Sequence, residues 1–220
     1  MFLFFISAKA QTLPDSDFQV WNETTLVVPV VKERDKSGKE SDRLSLIFLG
    51  AIRLGQNRLY PAELRAGAGF DLKLTKYWSF SPTYIYRRGE PIRDRKEYEH
   101  RLRFDLTVGE KWKHFSIKDR SRIEYRIRNS RADSVRYRNK FTFAFPVRHK
   151  DQEIFSPYVS DEVYYDFTAK EFTTNEISVG ISRKLSKNVS TDIFWLRRDF
   201  SSGQIRFLNA VGANLKIRID

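Results

Sequence analysis

The three histidines are the first place to look for chemistry, and none is set up for it: His100, His114 and His149 lack a neighbouring ligand pattern of the spacing a zinc site needs. There is no cysteine, which excludes a disulfide framework, a thiolate metal site, a cysteine nucleophile and a lipid-modified cysteine. One pair invites a hydrolytic reading. His100 and Ser121 both fall on apolar strand faces, where a hydrolase working on the lipid-facing wall of a barrel would keep its serine and base. Their expected pairing leaves them several residues apart, and no third group orients the histidine. Gly67-Ala68-Gly69 lies inside an alternating run, where glycine relieves crowding, and is no phosphate cradle. We therefore expect no enzyme activity, no catalytic residue, no metal and no cofactor.

Charge is the chemistry this chain does carry. Forty Lys and Arg against 28 Asp and Glu leave a net charge of +12, and the pI is near 9.9. Such a surplus points to a phosphate-rich partner. Lipopolysaccharide fits better than nucleic acid, because the aromatics lie mostly opposite the basic residues rather than interleaved with them. The charges recur at every second position. Glu97, Glu99, Arg101, Arg103 and Asp105 share one face of a run. So do Arg120, Arg122, Glu124, Arg126 and Arg128 in the next, and Arg136, Arg138 and Lys140 in a third.

Side chains that alternate in this way belong to strands, and the opposite faces are apolar: Tyr98, Leu102, Phe104, Leu106 and Val108, then Ile123, Tyr125 and Ile127, then Tyr137, Phe141, Phe143 and Phe145. If the charged faces line an interior, unpaired charge there is costly and neighbouring strands should offset one another. A register through the turn Lys111-Trp112-Lys113-His114 that sets Glu97 against Arg128, Glu99 against Arg126, Arg101 against Glu124 and Asp105 against Arg120 satisfies this, with Arg103 against Arg122 the sole clash. In the next hairpin Glu124 is expected to face Lys140, and Arg126 to face Arg138. The thirteen charged residues of these three runs form the expected luminal network, structural or solute-contacting.

The same alternation fills the chain. Candidate strands are Phe18–Val31, Leu44–Leu54, Glu63–Leu74, Trp78–Arg87, Glu97–Gly109, Ile117–Arg128, Val135–Val147, Phe155–Phe167, Thr173–Leu185, Val189–Asp199 and Gln204–Ile219. That makes eleven. Single-chain bacterial barrels have even numbers, so the expected fold is an all-β, antiparallel up-and-down transmembrane β-barrel of about 10–12 strands, with ten or twelve preferred. A soluble sandwich or lipocalin-type barrel also alternates, but with its apolar face inward. Long strands with Phe and Tyr near their ends favour the membrane barrel.

The opening run Met1-Phe2-Leu3-Phe4-Phe5-Ile6-Ser7-Ala8-Lys9-Ala10 is apolar and ends in an A-x-A site, so residues 1–10 read as a truncated signal peptide and residues 11–220 as one barrel domain. Beyond it no stretch approaches the roughly 20 apolar residues of a spanning helix.

Four short patterns, in order, resemble the bacterial proteins grouped as domain of unknown function 2490: Phe18-Gln19-Val20-Trp21-Asn22-Glu23, Arg120-Ser121-Arg122-Ile123-Glu124-Tyr125-Arg126, Arg136-Tyr137-Arg138, and Ser160-Asp161-Glu162-Val163-Tyr164-Tyr165. The resemblance implies an outer-membrane β-barrel in a Gram-negative bacterium and carries no established activity. Expected partners are outer-membrane lipid, lipopolysaccharide and the barrel-assembly machinery, with no nucleic acid. Three roles follow in order: a structural or interaction barrel with a charge-filled lumen, a narrow channel for small anionic solutes drawn by Arg103, Arg122, Arg136 and Arg138, and a lipid-active enzyme.

Overall fold

The computed structural model describes residues 15–34, 38, 40–55, 59–92, 95–150, 152–203 and 205–219; the expected signal peptide lies outside them. Twelve strands run in chain order: β1 Ser16–Arg34, β2 Glu40–Gly55, β3 Tyr60–Lys73, β4 Trp78–Ile92, β5 Arg95–Lys111, β6 Ser116–Arg128, β7 Ser134–Ala144, β8 Val147–His149, β9 Gln152–Asp166, β10 Glu171–Lys184, β11 Val189–Phe200 and β12 Phe207–Arg218. The three-residue β8 continues β7 past Pro146, which has no N–H to give the ladder, and stays against β9. Eleven staves therefore make the wall among the described residues.

Each stave pairs antiparallel with the next, and β1 closes on β12 in parallel from Ser16↔Phe207 to Val27↔Arg218. An odd number of alternating staves leaves the first and last pointing the same way, so the closing pair has to be parallel. The barrel is thus mixed, against the strictly antiparallel expectation, and the parity argument for ten or twelve strands fails at this seam.

Tight turns close one end. Leu74 and Thr75 donate to the Trp78 carbonyl at 2.9 and 3.2 Å, Trp112 to that of Phe115 at 2.8 Å, and Leu185 and Ser186 to that of Val189 at 2.8 and 3.1 Å. On this side the β1–β2 hairpin runs long. Near its tip Arg34 donates to one Glu40 oxygen at 2.9 and 2.7 Å, which holds that carboxyl below its ordinary range.

Facing decides between the two barrels the sequence allows. In β6, Arg122, Glu124 and Arg126 are 6%, 0% and 7% exposed while Ile123, Tyr125 and Ile127 are 49%, 39% and 43%. Charge is inside and the apolar face is outside, the reverse of a water-soluble barrel. One sector of the interior is apolar. Trp21, Leu196, Leu208 and Ala210 cluster there, with Phe194 and Phe200 against them, all from β1, β11 and β12 at the seam. Gly212 makes room for the Phe194 ring, which a Cβ would strike.

The parallel seam can be tested directly because the chain has no cysteine. Val20 and Val211 are partners in the closing ladder, at a strand spacing that a disulfide spans. Val20→Cys with Val211→Cys should crosslink under mild oxidation of the folded protein; linkage of Val20→Cys with Phe207→Cys in its place would refute this register.

Candidate functional site

Long charged side chains from nine staves meet inside the barrel in an arginine–carboxylate ring. On β3, Glu63 contacts Arg65 of its own strand, Arg87 of β4 and, at 3.4 Å, Arg53 of β2. On β5, Glu99 accepts from Arg101 at 3.0 Å on each oxygen and from Arg126 of β6, with Arg87 at 3.6 Å. Glu97 stands 3.7 Å from Arg87. Asp105 takes a two-pronged contact from Arg122 at 2.6 and 2.5 Å.

The ring continues around the far wall. Glu124 accepts from Arg136 at 2.6 Å and Arg138 at 3.1 Å, with Arg122 at 3.6 Å. Glu162 accepts from Arg138 at 2.9 Å and Arg120 at 2.7 Å. Glu176 accepts from Arg198 at 2.8 Å and from the Tyr164 hydroxyl at 3.2 Å. That hydroxyl in turn accepts from Arg138 at 2.9 Å. Trp21 bridges the remaining sector, because the guanidinium of Arg53 lies 3.5 Å from its ring centroid and that of Arg198 4.8 Å. Between the Glu99 and Glu124 groups the link is electrostatic, through Arg101 and Arg126.

Planar guanidinium groups suit this ring. Each presents several donors in a fixed fork and can serve two carboxylates, and each carboxylate can take two or three forks. Such sharing offsets the cost of burying the ions, which unpaired would be several kcal/mol each.

Two registers differ from the sequence expectation. Between β5 and β6 the Cα partners are Glu99↔Arg128, Arg101↔Arg126, Arg103↔Glu124 and Asp105↔Arg122, a slip of two residues. The cause is the turn: Lys111 pairs with Ser116 across a four-residue loop, closed by the Trp112 hydrogen bond to Phe115 and by their rings stacked 4.6 Å apart. Glu99 reaches Arg126 regardless, on the diagonal. Between β6 and β7 the partners are Glu124↔Arg136, Arg122↔Arg138 and Arg120↔Lys140, a slip of four. There Asp133 accepts from the Arg128 N–H at 3.0 Å across a short turn, so the chain reverses earlier than expected.

Of the thirteen residues expected in the network, Glu97, Glu99, Arg101, Asp105, Arg120, Arg122, Glu124, Arg126, Arg136 and Arg138 join it. Arg103 donates to Thr83 at 3.1 Å and forms no ion pair among the described residues. Lys140 faces the interior beside Arg120 and Glu162 in the ladders and makes no hydrogen bond or ion pair among the described residues. Arg128 bends to the turn carbonyl of Ala132. Sequence reasoning missed Arg53, Glu63, Arg65, Arg87, Glu162, Glu176 and Arg198. Their inward parity was readable, but their distance in the chain hid the contacts.

His100 and Ser121 are on the outer wall and stay apart. His100 pairs with Ile127 and Ser121 with Leu106, and their polar contacts are separate: Tyr84 to His100 at 2.6 Å, Tyr137 to Ser121 at 3.0 Å.

Replacing Glu124 by Gln leaves Arg136, Arg138 and Arg122 facing one another, and should cost about 3–5 kcal/mol in a urea titration of the detergent-folded protein. Adding Arg136→Met should return part of it; a double variant no better than the single would mean the two groups are not coupled.

The sequence matches the family described as "Protein of unknown function (DUF2490)" over residues 18–206. No curated protein matches it. Among solved structures, the chain is similar to the NanC porin in a rhombohedral crystal form, with 9% identity over 88% of this chain and 94% of that one and a TM-score of 0.49. It is similar to LpxR from Salmonella typhimurium with 11% identity over 81% and 83% and a TM-score of 0.47. An anion-selective porin from Comamonas acidovorans gives 10% identity over 83% and 59%, with a TM-score of 0.39.

Proposed function

We propose, for a chain that belongs to the DUF2490 family of proteins of unknown function, that it is an outer-membrane β-barrel with a structural or interaction role and an interior nearly closed by its arginine–carboxylate ring. The observation that carries this reading is the inverted facing: the large apolar side chains point out and the charged ones in. Water outside such a wall would hydrate apolar surface everywhere, whereas lipid would not.

Three further features support it. Exposed aromatics gather toward both rims, with Tyr77, Trp78, Trp112 and Phe145 at the end with the tight turns and Tyr60, Phe167 and Phe172 at the other. This is the disposition of interfacial girdles. Polar groups on the outer wall satisfy one another: Asn139 donates to both Asp119 oxygens at 3.1 and 3.0 Å, and Asn175 to Asp161 at 2.8 Å. The strands are also long enough, since about ten residues at a tilt of about 45° span the hydrocarbon layer. Outer-membrane lipid, lipopolysaccharide and the assembly machinery are the partners this placement implies. No catalysis is assigned.

The protein should fractionate with the outer membrane, resist carbonate extraction and migrate faster on gels unheated than boiled. Recovery as a soluble periplasmic protein would overturn the placement.

A narrow anion channel is the second reading, favoured by the unpaired Arg103. The two part in planar bilayers. A closed ring gives little or no steady conductance, while stable anion-selective channels that lose selectivity when Arg136 and Arg138 are neutralised would replace the first reading with the second.

A further inference from the structure

Inward-facing residues change character along the barrel axis. On the side of the tight turns, beyond the ring, the inward positions turn small and hydroxylic, as at Gly69, Ser81, Thr107, Thr142, Gly180 and Ser182. Few large side chains fill that half. A cavity of about 790 Å³ lies there, bordered by Ser182, Lys184, Asp192, Lys216 and Arg218. Deeper, a second cavity of about 180 Å³, the space of about six waters, rests on the ring itself. Asn214, one inward position below Lys216 on β12, borders the deeper one.

Lysines gather in this half. Lys118 of β6 interacts electrostatically with Lys140 of β7, Arg120 and Lys216 of β12. Four staves separate β6 from β12 on that side of the wall, so Lys118 and Lys216 confront each other across the bore. Asp192 faces Lys118 and already accepts from the Ser182 hydroxyl at 2.5 Å, and the carboxylates that face Lys140, those of Glu162 and Glu176, are already held by Arg120, Arg138 and Arg198. None of the three lysines makes an ion pair within the described residues. The deeper cavity is bordered by eight cationic side chains against three carboxylates, Glu23, Glu162 and Glu176. Arg103, 8% exposed, borders it too; its hydrogen-bond partner is Thr83, and among the described residues it makes no ion pair, the nearby Asp105 and Glu124 being held by Arg122, Arg136 and Arg138.

Like charges gathered inside a wall with too little counter-charge are a cost unless something negative enters. We propose that this half of the barrel is a blind vestibule that binds a small multivalent oxyanion bearing phosphate or carboxylate groups. Lys118, Lys140 and Lys216 draw it in, and Arg103 receives it at the floor. Hydroxyls of the small residues supply neutral donors around it. The inference rests on the ring closing the interior below, and it adds a ligand class and residues that the closed barrel does not itself require.

The test is calorimetric titration of the full chain, folded in detergent at low salt, with inorganic pyrophosphate and with citrate. Saturable binding of at least one probe is expected, weakened at least tenfold by Lys118→Gln with Lys140→Gln and by Arg103→Gln, each retaining the faster unheated gel mobility. Lys170→Gln, in an exposed turn at the other end, should leave it unchanged. Binding of pyrophosphate alone would assign the site to phosphates, and of citrate alone to carboxylates. A folded, non-conducting wild type that binds neither probe overturns the vestibule and leaves the closed barrel standing. Weakening as large with Lys170→Gln as with the interior variants would also overturn it, as general attraction to a basic protein. Binding by a protein that conducts steadily would keep the site and refute the closed ring.

Discussion

Everything inside this barrel follows from a shortage of carboxylates around a crowd of guanidinium groups. Once the apolar residues face outward, period-two alternation sends most of the long charged side chains of the eleven staves into one bore, and around the ring the basic ones outnumber the acidic. The interior is stable only if each buried carboxylate serves several arginines at once. Glu63, Glu99 and Glu124 each do so with three. Sharing also explains how arginines directly opposed in a ladder, such as Arg101 with Arg126 and Arg122 with Arg138, coexist. The Glu99 carboxylate lies against both members of the first pair, and Glu124 against both of the second.

The seam is where that arrangement is interrupted, and the apolar sector sits there. β1 and β12 bring few inward charges, so Trp21, Leu196, Leu208 and Ala210 fill the space. Trp21 keeps the ring continuous without a carboxylate: its faces attract Arg53 and Arg198, whose formal partners, Glu63 and Glu176, lie on either side. An indole is a suitable joint at a parallel closure, because it fills volume and still offers a negative face to two cations.

Sequence periodicity was enough for the staves and their faces, and too little for their registers. All eleven apolar–polar runs became strands, including Gln204–Ile219, whose partner across the closure is the first of them. Alternation tells which face a residue occupies and says nothing of how far a strand slides in steps of two. Charge matching chose a slide that made the β5–β6 pairs opposed, but the loop at Trp112 and Phe115 chose another. Arginine length concealed the error, since Glu99 meets Arg126 in both. The missed members of the ring have the same origin. Glu162 and Glu176 read as inward, but their contacts to Arg138 and Arg198 depend on strands far along the chain or on a register that no local pattern supplies.

The kind of cation also changes along the axis, and hydration accounts for it. In the ring the ion-paired cations are arginines, weakly hydrated and able to hold a carboxylate by two parallel donors, which suits a packed and dry layer. Toward the tight turns lysines, compact charges that keep a strong water shell, join Arg218. Lys118 and Lys216 are exposed although they point into the barrel, which means that solvent reaches them from that end. Small inward residues leave the room that this water needs. The same two facing rules, apolar outward and long charges inward, therefore yield a dry closure in one half and a wet, positive recess in the other, and the difference lies in the size of the inward residues and in the choice of lysine over arginine.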